Sequence, residues 1–404
     1  MPLVTAPTYN PASMSQPIEF IFSAASANPI LYANAQLFTD GVAQADIQKI
    51  PFQEIAGTYF FRFDMKRVCE ITSAPIAQSL TSCFSTLDAN YIATNPDLHS
   101  SIALVITYFY EDPTTGKPVN LGITDTIPFG TYEALTTQRQ IGEALDLNEF
   151  TVALRRFYTN QPNAYDITTT ENLFTTLPAF NVDRIQVTTY DSAGVLIDQG
   201  QISVAIGTDQ TPLTIGAGVP QLDGTTYVVG AVNILNPNVA SYTIQGGQFL
   251  GFFVGLTEIR TYNIVPNCSK RSLRVHFLNR LGGADAFTFT AAKVRKEAST
   301  SGLAKKPLNW DYTASPPLNV YDKGSFKIDI KAGEFYEVES SFYGEAKGAW
   351  IAELLSSPET YIETSQGLKA CTVDDTEITI SDIDNLITVK AVVRLAVDKF
   401  IQRY

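Results

Sequence analysis

The chain has 404 residues, of which 45% are hydrophobic and 17% charged, and it carries a net charge of -13 at pH 7. That length exceeds one ordinary core and predicts two to three domains. The acidity argues against nucleic-acid binding, which needs basic surface for phosphate contacts, and 19 Tyr and 24 Phe favour an all-β fold over α/β.

Residues 1–16 carry Pro2, Pro7 and Pro11 among small polar residues and show no periodicity. They read as an extended arm that ties copies of the chain together. With no Lys or Arg and no continuous apolar stretch, they are not expected to be a signal peptide. Residues 17–137 read as a first β-sandwich domain, with strands expected at Ile18–Phe22, Ile30–Phe38, Tyr59–Phe63 and Ile102–Tyr110. The stretch Asp112-Pro113-Thr114-Thr115-Gly116-Lys117-Pro118 is a turn; it lacks the upstream Gly and the hydroxyl residue after Lys that a phosphate-binding loop requires. Gln138 to Phe157 mixes acids, Leu and Arg without alternation and reads as a short helix or connector at a domain boundary.

Residues 138–267 read as a second β-sandwich. Ile185–Tyr190 and Val195–Ile197 flank the turn Asp191-Ser192-Ala193-Gly194, and Gln201–Ile206, Thr225–Val232, Ser241–Gln245, Phe249–Val254 and Glu258–Val265 continue the pattern. The longest apolar run, Gly246 to Leu256, is far short of the roughly 20 residues of a spanning helix, so membrane insertion is not expected. Residues 268–404 form a third, β-rich domain with a basic hairpin at its start. Ser325–Ile330 alternates cleanly, with a turn expected at Ala332-Gly333. Gly344 to Ser356 places Trp350, Ile351, Leu354 and Leu355 on one helical stripe, and the last strands are expected at Glu377–Ile380 and Leu386–Leu395.

Recognisable catalytic chemistry is thin. There are two histidines. His276 alternates with Val275 and Phe277 and is expected to face solvent, whereas His99 lies in the turn-like Asn95-Pro96-Asp97-Leu98-His99-Ser100. No G-x-S-x-G elbow surrounds a candidate nucleophile such as Cys83, and an enzyme is not expected. Cys69, Cys83, Cys268 and Cys371 are widely spaced, so buried free thiols are expected rather than a disulfide framework, and no cofactor is implied. Asp374-Asp375-Thr376-Glu377 and Asp382-Ile383-Asp384-Asn385 offer oxygens for Ca²⁺ but lack EF-hand spacing, and solvated acidic loops are the favoured reading. The clusters Tyr59-Phe60-Phe61-Arg62-Phe63 and Tyr108-Phe109-Tyr110 offer ring faces to a host surface glycan, although alternate members of a strand must point to opposite sides.

The most informative stretch runs from Lys270 to Lys306, where nine Lys/Arg stand against two acids, leaving -20 on the rest of the chain. Leu273-Val275-Phe277 and Phe287-Phe289 alternate on either side of the turn Leu281-Gly282-Gly283-Ala284-Asp285. Arg271, Arg274, Arg280, Lys293, Arg295 and Lys296 are thereby expected to share a cationic face that meets an acidic face of a neighbouring copy.

The segment Phe277-Leu278-Asn279-Arg280-Leu281-Gly282-Gly283-Ala284-Asp285-Ala286-Phe287-Thr288-Phe289 resembles an "FLN-x-x-GG-x-D-x-F-x-F" segment of virion structural proteins. These are tail, neck or baseplate components of tailed phages infecting Bacteroidetes, crAss-like phages among them. Thr257 to Ile264 and Leu354 to Ile362 fit the same resemblance, which covers about the C-terminal third of the chain and carries over no site residues. It implies a structural role in the virion, with assembly in the host bacterial cytoplasm as a symmetric ring or tube. The partners expected are further copies of the chain and other tail or neck proteins. The alternative is a receptor- or glycan-binding protein of the tail tip.

Overall fold

A computed structural model describes residues 3–6, 12–13, 18–39, 41–66, 92–94, 99–135, 154–204, 212–266, 272–305, 325–341, 343–365, 367–381, 386–396 and 399–402. These residues are overwhelmingly β, and the chain divides into two compact units. The first comprises residues 1–267 together with 277–286; the second comprises 268–276 and 287–404.

The first unit begins with β1 (Leu3–Thr5), β2 (Ala12–Ser13), β3 (Glu19–Ala25), β4 (Ile30–Thr39), β5 (Val42–Lys49), β6 (Gln53–Ile55) and β7 (Thr58–Asp64). It continues with β8 (Ile92–Thr94), β9 (His99–Glu111) and β10 (Pro118–Leu135). Two sheets, in the orders β1-β3-β7-β6 and β2-β10-β9-β4-β5, enclose one core. Period-two alternation selects its members: Phe20, Phe22 and Ala24 from β3, Ala33, Ala35 and Leu37 from β4, Phe61 and Phe63 from β7, and Ile102, Leu104, Ile106 and Tyr108 from β9. Inside it the Tyr108 hydroxyl donates to Asp125 Oδ2 at 2.7 Å, and burial followed by this bond raises the phenol pKa.

Of the stretch expected to be an arm that ties copies together, the described residues pair within their own unit. Thr5 and Leu3 pair antiparallel with Ile21 and Phe22, and Leu3 packs on the core. Ala12 and Ser13 pair parallel with Ala134 and Leu135. Short strands without periodicity are held here by the backbone of their own unit. His99 likewise lies in a strand, opposite Leu135, rather than in a turn.

The unit continues with β11 (Ala164–Ile167), β12 (Phe174–Pro178), β13 (Arg184–Tyr190), β14 (Leu196–Ser203), β15 (Pro212–Gly216), the short helix α1 (Val219–Asp223) and β16 (Val229–Ala231). It closes with β17 (Ser241–Phe249), β18 (Phe253–Gly255) and β19 (Arg260–Ile264). They form a seven-stranded sheet, β11-β19-β17-β13-β14-β16 with β18 on β17, and a three-stranded sheet, β12-β15-β8. The expected strand Phe249–Val254 is instead a hairpin apex, because Gly251 takes φ +85° and Leu250 N–H donates to Phe252 O. Thr225–Val232 yields only the three residues of β16.

The remaining strands form a nine-stranded sheet that lies mostly in the second unit, with residues 277–278 and 284–286 counted with the first. Its strands are β20 (Leu273–Leu278), β21 (Ala284–Phe289), β22 (Ala291–Lys305), β23 (Ser325–Glu339), β24 (Tyr343–Gly344), β25 (Thr360–Thr364), β26 (Gly367–Ser381), β27 (Leu386–Leu395) and β28 (Lys399–Gln402). The order is β21-β20-β25-β26-β27-β23-β22, with β24 on β27 and β28 on β23. Helix α2 (Glu345–Leu355) buries Trp350, Ile351 and Leu354 as its stripe predicts, and the Trp350 ring meets Phe287 edge-on at 5.9 Å. Gly348 permits this seating, since a Cβ there would stand 2.5 Å from Ile387 Cδ1. No turn forms at Ala332-Gly333, because β22 pairs with both residues and β28 with Ala332, holding β23 extended through Glu339. Asp374 to Glu377 likewise lie in β26, where the ladder with β27 shifts register, and not in a loop; 382–385 lie outside the described residues.

Candidate interaction surface

Three adjacent strands of the second unit align their residues in rows. Ala291, Glu339 and Lys390 form one row, Lys293, Glu337 and Val392 the next, and Arg295, Phe335 and Arg394 a third. Alternation sends the intervening Val338, Ala391 and Val393 into the core. The outward rows therefore carry charges at the spacing of the strands.

These charges are paired across strands. Glu337 takes Arg295 Nη1 at 2.6 Å and Lys293 Nζ at 3.7 Å, Glu339 takes Lys390 Nζ at 3.7 Å, and Asp374 takes Arg394 Nε at 3.1 Å. Phe335 sits between two guanidinium groups, with Arg394 Cζ 5.3 Å and Arg295 Cζ 5.9 Å from its ring centroid, and is only 6% exposed. Each exposed pair contributes about 0.2–1 kcal/mol, so the pairs set orientation more than stability. Between the rows runs a shallow groove of about 460 Å³, lined by Ala291, Lys293, Glu337, Glu339, Lys390 and Val392.

The six expected interface cations separate into different surroundings. Lys293 and Arg295 lie on this face. Lys296 follows in β22 opposite Glu334, with its side chain outside the described residues, as is Arg271 altogether. Arg280 is half-buried in the turn after β20. Arg274 is not on the surface at all: β20 has β21 on one side and β25 on the other, and all six of its residues are buried. The Arg274 guanidinium donates to Thr288 Oγ1 at 2.7 Å and approaches Glu363 Oε2 to 3.7 Å. His276, expected in solvent, is fully buried, with Nε2 3.0 Å from the same carboxylate oxygen. Burial on both faces of a central strand overrides the alternation that pointed these side chains outward.

Phe335, Glu337, Glu339, Lys390 and Arg394 were not anticipated. Their signal was the period-two spacing of Phe335-Glu337-Glu339 and of Lys390-Val392-Arg394, but nothing in either segment names the strand it pairs with.

The turn within residues 277–289 has a different task, within the first unit. Asn279 Nδ2 donates to Tyr158 O at 2.7 Å and to Asp285 Oδ2 at 2.9 Å, while its Oδ1 accepts from the Leu281 and Gly283 amides, both at 2.9 Å. Asp285 Oδ2 also accepts from Thr159 Oγ1 at 2.7 Å, and the Ala284 amide donates to Thr176 Oγ1 at 3.1 Å. Gly283 lies so close that a Cβ would stand 2.0 Å from Tyr158 O. Asn, Gly and Asp of the motif thus form a buried polar latch rather than a solvent-facing turn. No protein-family model matches the chain, and no curated protein does.

Among the described residues, no three His, Cys, Asp or Glu side chains are grouped to hold a metal ion, and no helix is long and apolar enough to cross a membrane. Cys371 is a buried free thiol that burial pushes up to about 11. The other three cysteines lie outside the described residues.

Proposed function

We propose that this chain is a non-enzymatic structural subunit, assembling with copies of itself and with other proteins of the tail, neck or baseplate of a tailed-phage virion. The observation that carries the structural part is the ordered charged face on β22, β23 and β27. Its cations and anions interleave at strand spacing and meet in cross-strand pairs and in the stack on Phe335. Interleaved signs reward one orientation of a partner and penalise others. The groove between the rows presents charge and small apolar side chains, which suits a partner's surface. The virion setting is supported by the resemblance of residues 277–289.

The test reverses Lys293, Arg295 and Lys390 to Glu together, all on exposed positions. Native mass spectrometry is expected to show fewer oligomers than for the parent at low salt, and the parent is expected to lose oligomer at 1 M salt, where the Debye length falls to about 3 Å. An unchanged oligomer distribution with an unchanged salt response removes this face from assembly.

A further inference from the structure

Among the described residues, most sheet edges are short, buried or charged. β1, β6, β8 and β16 have three residues each and β2 has two, β12 is buried throughout, and β22 carries Lys293, Arg295 and Lys296. Such features keep the unpaired N–H and C=O groups of an edge from recruiting another strand.

β5 differs. It closes the five-stranded sheet as an eight-residue strand, about 26 Å long at roughly 3.3 Å per residue. Among the described residues it pairs with β4 alone. It has one Asp and one Lys, and Asp46, Gln48 and Lys49 are exposed. Four large apolar side chains gather on it, on the connection to β6 and at the end of β6: Val42 is 60% exposed, Ile50 75%, Phe52 54% and Ile55 53%. The register with β4 shifts near Gln44, which leaves Ala45 to Lys49 as an unbroken, regularly paired stretch.

We propose that this stretch pairs antiparallel with the same stretch of a second copy, joining two five-stranded sheets into one. The proposal rests on the self-assembly reading above and names a contact for it. A two-fold axis perpendicular to the sheet keeps each residue on the same face in both copies, so only residues of equal parity can oppose one another. The regular stretch is centred on Ile47, and an axis there opposes Ile47 with Ile47, Asp46 with Gln48 and Ala45 with Lys49. No like charges meet, whereas axes through residue 46 or residue 49 would set Asp46 against Asp46 or Lys49 against Lys49. Ile50 and Phe52 of one copy then run alongside Val42 of the other, covering apolar surface that each copy alone exposes. The edge is thus complementary to itself.

Gln48 gives the test, because it is exposed and its partner is specified. In the full-length protein, Gln48→Asp places two like-charge pairs across the axis and is expected to weaken dimerisation about tenfold, whereas Gln48→Lys meets Asp46 and is expected to hold or strengthen it. Sedimentation velocity over a range of concentrations reads the dimer, and thermal unfolding verifies that both variants fold as the parent does. Hydrogen exchange adds a readout independent of register: amides of residues 45–49 should gain protection as concentration rises. Identical sedimentation of the two variants overturns the contact. So does an oligomer whose 45–49 amides exchange as freely as in the monomer, and in that case the self-assembly reading survives. A parent chain that stays monomeric at every concentration overturns both.

Discussion

Replacing Asn279 with alanine is expected to destabilise the first unit by about 3–5 kcal/mol. The side chain is fully buried and makes four hydrogen bonds of 2.7–2.9 Å, two given to Tyr158 O and Asp285 Oδ2 and two taken from the Leu281 and Gly283 amides. A typical bond contributes about 1 kcal/mol net, and each buried partner left without a substitute costs about 1–3 kcal/mol before relaxation. Urea unfolding read by pulsed hydrogen exchange separates the units, using peptides from β13 for the first and β27 for the second. At a slope of roughly 2–3 kcal/mol/M, the midpoint of the β13 peptides should fall by about 1–2 M. Asn279→Asp sharpens the reasoning. It preserves both acceptor bonds but turns a carboxylate oxygen toward Tyr158 O and Asp285, so near neutral pH it should be at least as harmful as alanine. Because the folded state then favours the protonated acid, its deficit should shrink as pH falls. A loss below about 1 kcal/mol for alanine, or an aspartate variant as stable as the parent, refutes the latch.

Two further outcomes follow from buried groups. The Cys371 pKa of about 11, against 9.0 unperturbed, means that the native state retains a proton the unfolded state gives up. Its contribution to stability is complete below about pH 9 and lost as pH rises toward 11. The Cys371 peptide should therefore resist iodoacetamide at pH 8 until urea is added, and labelling at the unfolded rate under native conditions contradicts this burial. Deleting residues 1–5 removes β1, opens the β3 edge and strips Leu3 from the core. The expected loss of about 1–2 kcal/mol should lower the melting temperature of the first unit by several degrees, and an unchanged melting curve shows β1 to be dispensable.

The sandwich strands were legible because alternation and burial agree. Phe20-Phe22-Ala24 and Ile102-Leu104-Ile106 are one-sided in sequence and one-sided in the core. Helix α2 was legible from its apolar stripe and the following Pro358. Arg274 and His276 were not, since alternation indicates which residues share a face but not whether a second layer covers the other face. The charged surface was half legible: β22 advertises its cations, but Glu337 and Lys390 join them only through pairing that local sequence does not specify. The N-terminal strands carried no pattern because two or three residues are too few to show a period; backbone pairing, with Leu3 packed on the core, fixes them.

The membership of residues 277–286 in the first unit bears on how the protein is made. A ribosome that has just added Asn267 has supplied every earlier residue of that unit but not Asn279, Gly283 or Asp285. At about 5–20 residues per second, some 1–4 s of further synthesis separate Asn267 from Ala286. Throughout that interval Thr159, Thr176 and the Tyr158 carbonyl await bonding groups not yet added to the nascent chain. A gene fragment stopped at the apparent boundary after Asn267 would make that wait permanent, leaving a unit with its last piece encoded on the other side of the cut.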